Sequence, residues 1–236
     1  MKRYHLIQLV TLAFFIGVIS GILIYHKWNY LPCKEMLLAI PTLFAAFGGA
    51  WFAFKLEENR RKVEQQKKNI SACNKAIYIL SKQYGILLEL QIKIIEPVRD
   101  SPEQWREMEP VPPMDYKDIK LNIEELLFFQ DTPHKDVLYR LLEAEKKFHG
   151  TIDTFNKRSQ FFLEEVQPRL LDKTAIACSN KDDYKQLMDK IVDLTDKTIL
   201  FVDGAVEFIE NIQYDLIKAI KDIYPEANPI FSEQIE

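Results

Sequence analysis

Four histidines and three cysteines are the residues of this chain whose types could hold a metal or arm a nucleophile, and their spacing does neither. His5, His26, His134 and His149 form no pair at ligand spacing. His26 and Cys33 share a short segment, but a zinc site takes four ligands, or three and an open position. Cys33, Cys73 and Cys178 are odd in number and far apart, so no disulfide framework is legible. Cys73 and Cys178 fall where small apolar residues would serve, and no serine or cysteine triad can be assembled. Glu164 with Glu165, and Asp182 with Asp183, read as solvated faces and a helix cap. Gly48 and Gly49 lie in an apolar run and Gly204 within a helical pattern, so no phosphate-binding loop is present. These residues predict no enzyme, no metal or cofactor, and no small-molecule substrate.

The elements that carry them divide the chain unevenly. The charged residues between Tyr4 and Phe54 are Lys27, Lys34 and Glu35, whereas the chain beyond Phe54 is charged throughout and net acidic. A net-acidic part argues against broad, sequence-independent nucleic-acid binding, which needs a basic surface. Few glycines and a helical pattern nearly everywhere predict an all-α fold.

Tyr4–Tyr25 is a run of 22 residues without Lys, Arg, Asp or Glu, and Met36–Phe54 is one of 19. At 1.5 Å per residue they extend roughly 33 and 28 Å, against about 30 Å of hydrocarbon core. Both are expected to span a membrane as helices, because lipid offers no partner to a free backbone amide. Lys2 and Arg3 could head a cleaved signal, but the apolar stretch exceeds a signal's core and no small-residue cleavage site follows; a retained helix is expected. His26, Lys27 and Trp28 read as an interface rim. Lys2 and Arg3 before the first run, and Lys55, Arg60, Arg61, Lys62, Lys67 and Lys68 after the second, outweigh Lys27 and Lys34 between them. The positive-inside rule then places both chain ends in the cytoplasm. The spans form a hairpin (residues 1–54). Gly17 and Gly21 in the first span, and Ala45, Gly49 and Ala53 in the second, are small-residue ladders that let helix backbones approach. They serve packing within one hairpin or a homo-oligomer of several. Pro41 falls early in the second span, where it can kink the helix. No charge lies within either span, which excludes a proton relay or charged ion path there.

Residues 55–236 are expected to form a cytosolic helical bundle. Ile70, Cys73, Ile77, Leu80, Tyr84, Leu87, Gln91 and Ile94 recur at alternating spacings of 3 and 4, to a stop at Pro97. No breaker separates this helix from the second span, so one continuous rod is expected. Residues 97–118, with Pro97, Pro102, Pro110, Pro112 and Pro113, read as a linker that Trp105 and Met108 pin to the bundle. A short helix Ile119–Phe129 follows. Thr132 and Pro133 predict the next helix start. Its stripe is Leu138, Leu141, Phe148, Ile152, Phe155, Phe162 and Val166, with Glu145 and Ser159 on two lattice points, ending at Pro168. The last helix begins near Asp182 or Asp183. Its stripe is Leu187, Ile191, Leu194, Phe201, Ala205, Phe208, Ile212, Ala219 and Ile223, slipping near Leu216. The economical packing is an antiparallel bundle with the short helix as a plug.

The basic collar Lys55–Lys68 reads as a topology anchor attracted to anionic headgroups, or as a docking patch for a partner. Arg140 and His149 resemble the Arg–His signature of helical HEPN ribonucleases in type, but eight residues separate them, more than that family's spacing. The paired spans, the junction AAFGGAWFAFKLEENRRK and the helical domain after it resemble the two-transmembrane effector proteins encoded beside bacterial retrons. That resemblance implies a toxin of an anti-phage abortive-infection system in the bacterial inner membrane. It also implies a partner, the retron reverse transcriptase with its msDNA, that restrains the toxin until the membrane is permeabilised. The competing reading is a non-toxic membrane-anchored scaffold or adaptor that recruits a cytosolic complex.

Overall fold

In the computed structural model, the described residues are 17, 19–21, 34–171 and 181–227, with side chains in the first long helix from Thr42 onward. All regular structure among them is helical, with no strand, so the fold is all-α. The chain divides into two compact units, Met1–Glu64 and Gln65–Glu236. Helix α1 (Lys34–Leu90) runs unbroken through that division.

In the first unit, α1 carries large apolar side chains that are exposed. Phe44, Phe47, Trp51 and Phe54 are 66–75% exposed. Among the described residues no helix is long and apolar enough to cross a membrane. The first expected span lies outside them except for Gly17, Ile19, Ser20 and Gly21. Of the second, the backbone is helical throughout, Pro41 included, and the described side chains run from Thr42 to Phe54.

The second unit is a bundle. After α1 come the single turn α2 (Gln104–Glu107), a 3-10 helix (Ile123–Asp131), α3 (Lys135–Phe161), α4 (Gln167–Leu171) and α5 (Lys181–Ile223). Polar contacts fix the directions. Asn69, Ser81 and Gln91 of α1 meet Tyr224, Gln213 and Asp203, so α1 and α5 are antiparallel. His134, Thr151 and Arg158 meet Asp222, Phe201 and Thr195, so α3 and α5 are antiparallel too. Helices α1 and α3 are therefore parallel. The return leg between them is the proline-rich segment with the 3-10 helix. Along it, Trp105 meets Arg158 while Leu121 meets Glu145, and Ile119 meets Gln83 while Glu125 meets Lys75. The expected antiparallel packing thus holds with a non-helical strap as its second leg.

The core confirms most of the α3 stripe. Leu138, Leu141, Phe148, Ile152, Phe155, Phe162 and Val166 are all buried. Each fully buried Phe or Leu contributes about 1.5–3 kcal/mol relative to exposure. In α1, Cys73, Ile77, Leu80 and Leu87 are buried, but Ile70, Tyr84, Gln91 and Ile94 are only half-buried. The buried position after Leu90 is Ile95, because residues Gln91–Ile95 form a π turn closed by the Glu96 N–H on the Gln91 carbonyl. One extra residue in the turn moves the stripe on by one. A second π turn, Phe162–Val166, is closed by the Gln167 N–H on the Phe162 carbonyl. Each stands in the same register to a proline, Pro97 or Pro168. A proline ring clashes with the carbonyl four residues back and lacks a donor, and the widened turn relieves both. The helical course therefore reaches Leu171 rather than ending at Pro168.

Three further expectations are corrected. The short helix is 3-10 rather than α, and starts at Ile123. Ile123, Leu126 and Phe129 are spaced by three, which stacks them in line only at three residues per turn. Helix α3 starts at Lys135 with no side-chain cap. Thr132 instead donates its hydroxyl to the Phe129 carbonyl (2.8 Å) and accepts from the His134 N–H (3.2 Å). In α5, Phe201 is exposed and Leu194 and Phe208 are half-buried. The buried stripe is Ile191, Thr195, Thr198, Val202, Ala205, Ile209, Ile212, Leu216 and Ala219, an unbroken 4-3 alternation. Two threonines hold core positions because their hydroxyls bond back to the Ile191 and Leu194 carbonyls at 2.8 and 2.7 Å. A stripe sought among apolar residues alone slips by one there.

Candidate functional site

From Thr42 to Lys68 the described side chains of helix α1 are exposed, Phe52 and Glu58 excepted. From Thr42 to Phe54 the helix is apolar around its circumference, and Phe52 is its one half-buried side chain. Ala45, Gly49 and Ala53 are exposed, and a methyl group on Gly17, Gly21 or Gly49 would meet nothing within 4 Å. From Lys55 to Lys68 the helix becomes mostly polar, with Leu56 and Val63 as its exposed apolar residues. Lys55 and Lys62 both bind Glu58 (2.7 and 2.6 Å), Arg61 binds Glu57 (3.1 Å), and Arg60 binds Glu64 (3.0 Å). The hydrogen bonds from Lys55 and then Lys62 hold the Glu58 carboxyl down to about 2. The bond that Arg60 donates to Glu64 raises its guanidinium. Lys67 and Lys68 are exposed and make no ion pair among the described residues. The collar is therefore largely a ladder of pairs at helical spacing, which supports an exposed helix, rather than an open basic surface.

The residues with intrinsic chemistry are held apart or engaged. Arg140 pairs with Asp215 across the α3–α5 seam and stacks over Phe208. His149 lies 4.0 Å from Glu145, on its own helix, and His134 lies 3.4 Å from Asp222. Arg140 and His149 thus have separate acidic partners. Cys73 is fully buried, and burial pushes its thiol to about 12, so it is an inert packing residue. Cys33 and Cys178 lie outside the described residues. No cluster of three or more His, Cys, Asp or Glu side chains converges among the described residues. An open groove of about 880 Å³ between α3 and α5 is lined by Lys157, Phe161, Glu164, Arg169, Leu187 and Lys190 among others. Several of its polar groups are already partnered: Arg169 with Glu165, Glu164 with Gln160, and Lys190 over the Phe161 ring.

Sequence reasoning missed one constellation, the receptors for the strap. Met108 is fully buried and Trp105 packs beside Phe162 and Leu187, as the pinning role requires. The strap backbone is otherwise held by side chains. Arg158 donates to the Trp105 carbonyl (2.9 Å), and Ser159 accepts from the Val111 N–H (3.2 Å). Asn156 clamps Met114 at both its N–H (2.9 Å) and its carbonyl (2.8 Å). Glu145 accepts from the Leu121 N–H, and Gln83 donates to the Ile119 carbonyl. At the near end, Arg99 forks onto Asp203 with two bonds of 2.8 Å, and Gln91 adds a third at 2.7 Å. That fork lowers the Asp203 carboxyl and raises the Arg99 guanidinium. Glu145 and Ser159, polar residues on an otherwise apolar lattice, were the available signal.

Arg158 is the outlier of this set. It is fully buried, yet no carboxylate reaches it among the described residues. Its Nε donates weakly to Thr195 (3.4 Å), its guanidinium sits 5.2 Å over the Phe162 ring, and its Nη1 has no partner. Desolvation pulls it down to about 10, so it keeps its charge at neutral pH. A buried unpaired charge costs several kcal/mol even after relaxation.

No protein-family model, curated protein or solved structure matches this chain.

Proposed function

We propose that this chain is a membrane-perturbing effector: a bundle anchored in a bilayer by its apolar N-terminal segment, which permeabilises that bilayer when a restraining partner lets go. The observation that carries the reading is the exposed, apolar-all-round stretch Thr42–Phe54, followed in one helix by an exposed, pair-laced and mostly polar stretch. Exposed apolar surface of this extent marks a membrane or protein interface. A helix apolar around its whole circumference is suited to hydrocarbon rather than to a one-sided groove. In the sequence, the uncharged runs Tyr4–Tyr25 and Met36–Phe54 have the lengths of two spans.

The hairpin topology, with both ends in the cytoplasm, rests on the flanking charges, and the retron resemblance makes the membrane a bacterial inner membrane. Small residues Gly17, Gly21, Ala45, Gly49 and Ala53 would let several hairpins assemble, and the bundle would bind the partner. The retron resemblance supplies that partner's identity, a reverse transcriptase carrying msDNA.

Two measurements test this. Alkaline carbonate should leave the full-length chain in the membrane fraction; release into the supernatant removes the anchoring premise. Cells expressing the chain alone should take up a membrane-impermeant dye, and co-expression with a retron reverse transcriptase and its msDNA, the partner the resemblance implies, should suppress uptake. A chain that stays in the membrane while dye is excluded under every condition is the scaffold.

A further inference from the structure

The strap and the buried arginine beneath it form one device. Between Arg99 and Asn122 the chain has a single helical turn, α2, and its backbone is tied down by side chains of α1 and α3. Helices α1, α3 and α5 make their own ladders and do not depend on the strap for backbone pairing. Arg158 lies under the strap with a free Nη1, and its one strong bond is to a strap carbonyl, that of Trp105. An apolar side chain of the same length would fill the space without burying a charge, so the guanidinium is poorly explained as packing. An arginine fork matches a carboxylate or a phosphate through two parallel bonds, and here one arm has no partner and the other holds a single neutral carbonyl.

We propose that Arg158 is a concealed oxyanion-binding group and that the strap segment Gln104–Met114 is its cover. When the segment lifts, Arg158 exchanges the Trp105 carbonyl for a carboxylate or phosphate group of a ligand. Binding and strap opening are then one equilibrium. The anion stabilises the lifted state, and the closed state hides the site. Asp203, clasping Arg99 at the strap's first residue, sets how readily it lifts. This inference does not depend on the membrane reading.

Hydrogen exchange read by mass spectrometry on the full-length chain in neutral detergent tests it. Sodium chloride is replaced at constant ionic strength by inorganic phosphate in one arm and by acetate in the other. Exchange of the strap amides between Gln104 and Met114 should rise with the anion, by roughly tenfold at about ten times its dissociation constant, while α3 and α5 stay protected. A rise in phosphate alone assigns a phosphate ligand; a rise in acetate admits a carboxylate. Arg158→Met should keep the strap protected in chloride and abolish the response. Arg158→Lys, which retains the charge and gives up the fork, should weaken it. Equal strap exchange in all three salts overturns the proposal. So does a rise spread evenly over the bundle, or a full response in either variant.

Discussion

Between Thr42 and Phe54, helix α1 exposes Leu43, Phe44, Phe47, Trp51 and Phe54; between Ala72 and Leu90, the same helix hides Cys73, Ile77, Leu80 and Leu87 along one stripe. Lys55 to Lys68 belongs to neither pattern: it is mostly polar and laced with pairs. A single run of backbone hydrogen bonds therefore passes through three regimes with three sources of support. The bundle part is held by tertiary burial. The charged part is held by local pairing, each pair weak. The apolar part has neither kind of support among the described residues, where Phe44, Phe47, Trp51 and Phe54 are exposed.

Truncations of equal size separate the first regime from the last. Phe155→Ala, in the bundle, should lower the unfolding free energy by about 3–5 kcal/mol in a denaturant titration, since it opens a cavity in a packed core. Phe47→Ala should leave the same titration unchanged. A fall with both variants would mean that Phe47, like Phe155, is part of a packed core.

Charge sharpens the contrast. Phe47→Lys should shift the chain from the membrane to the supernatant in fractionation, against an insertion penalty of about 2.5–3.5 kcal/mol for a charge near a span's centre. It should leave bundle unfolding untouched.

Next in size is the clasp. Asp203→Ala removes the fork from Arg99, which is one-third exposed and keeps Glu96 at 2.8 Å. A loss of about 1–2 kcal/mol in bundle stability is expected, as for hydrogen bonds to charged groups. A loss near zero would show the clasp to be a solvated surface pair.

Three glycines work in the opposite direction. Gly85, Gly150 and Gly204 lie inside α1, α3 and α5, and an added methyl would meet nothing within 4 Å at any of them. Alanine at each should raise bundle stability by about 0.5–1 kcal/mol. A destabilising result would point to a partner surface that closes over the site.

The smallest effect belongs to the charged stretch. The Glu58 carboxyl is held at about 2, below its unfolded value, so its two lysine bonds support the helix fully above the usual glutamate range. That support is lost as pH falls toward 2. Circular dichroism of the wild-type chain should show a small loss of helicity across that window that Glu58→Gln lacks. High salt should shrink the difference, because exposed pairs are screened. A salt-independent difference would mean the pairs are not the source.

Much of the bundle was legible because apolar spacing and prolines are local signals. The α3 stripe, the pinning by Trp105 and Met108, and the continuity of α1 follow from residue order alone. The polar points Glu145 and Ser159 were visible, but their use was not, since their partners Leu121 and Val111 lie far off in the chain. Of the proposed functional residues, the charges of the collar were plain, while their mutual pairing depends on side-chain directions along a formed helix.

What the sequence determined by itself is the all-α class, the sites where helices meet prolines, and the unequal distribution of apolar residues along α1. Those are consequences of covalent structure and of solvent preference, residue by residue. Only the tertiary structure decided that Thr195 and Thr198 are core, that two turns widen into π geometry, that a non-helical strap is the bundle's second leg, and that Arg158 lies beneath it. Each of those depends on what a distant segment offers, a space, a hydrogen bond or a cover, and local spacing carries no information about that.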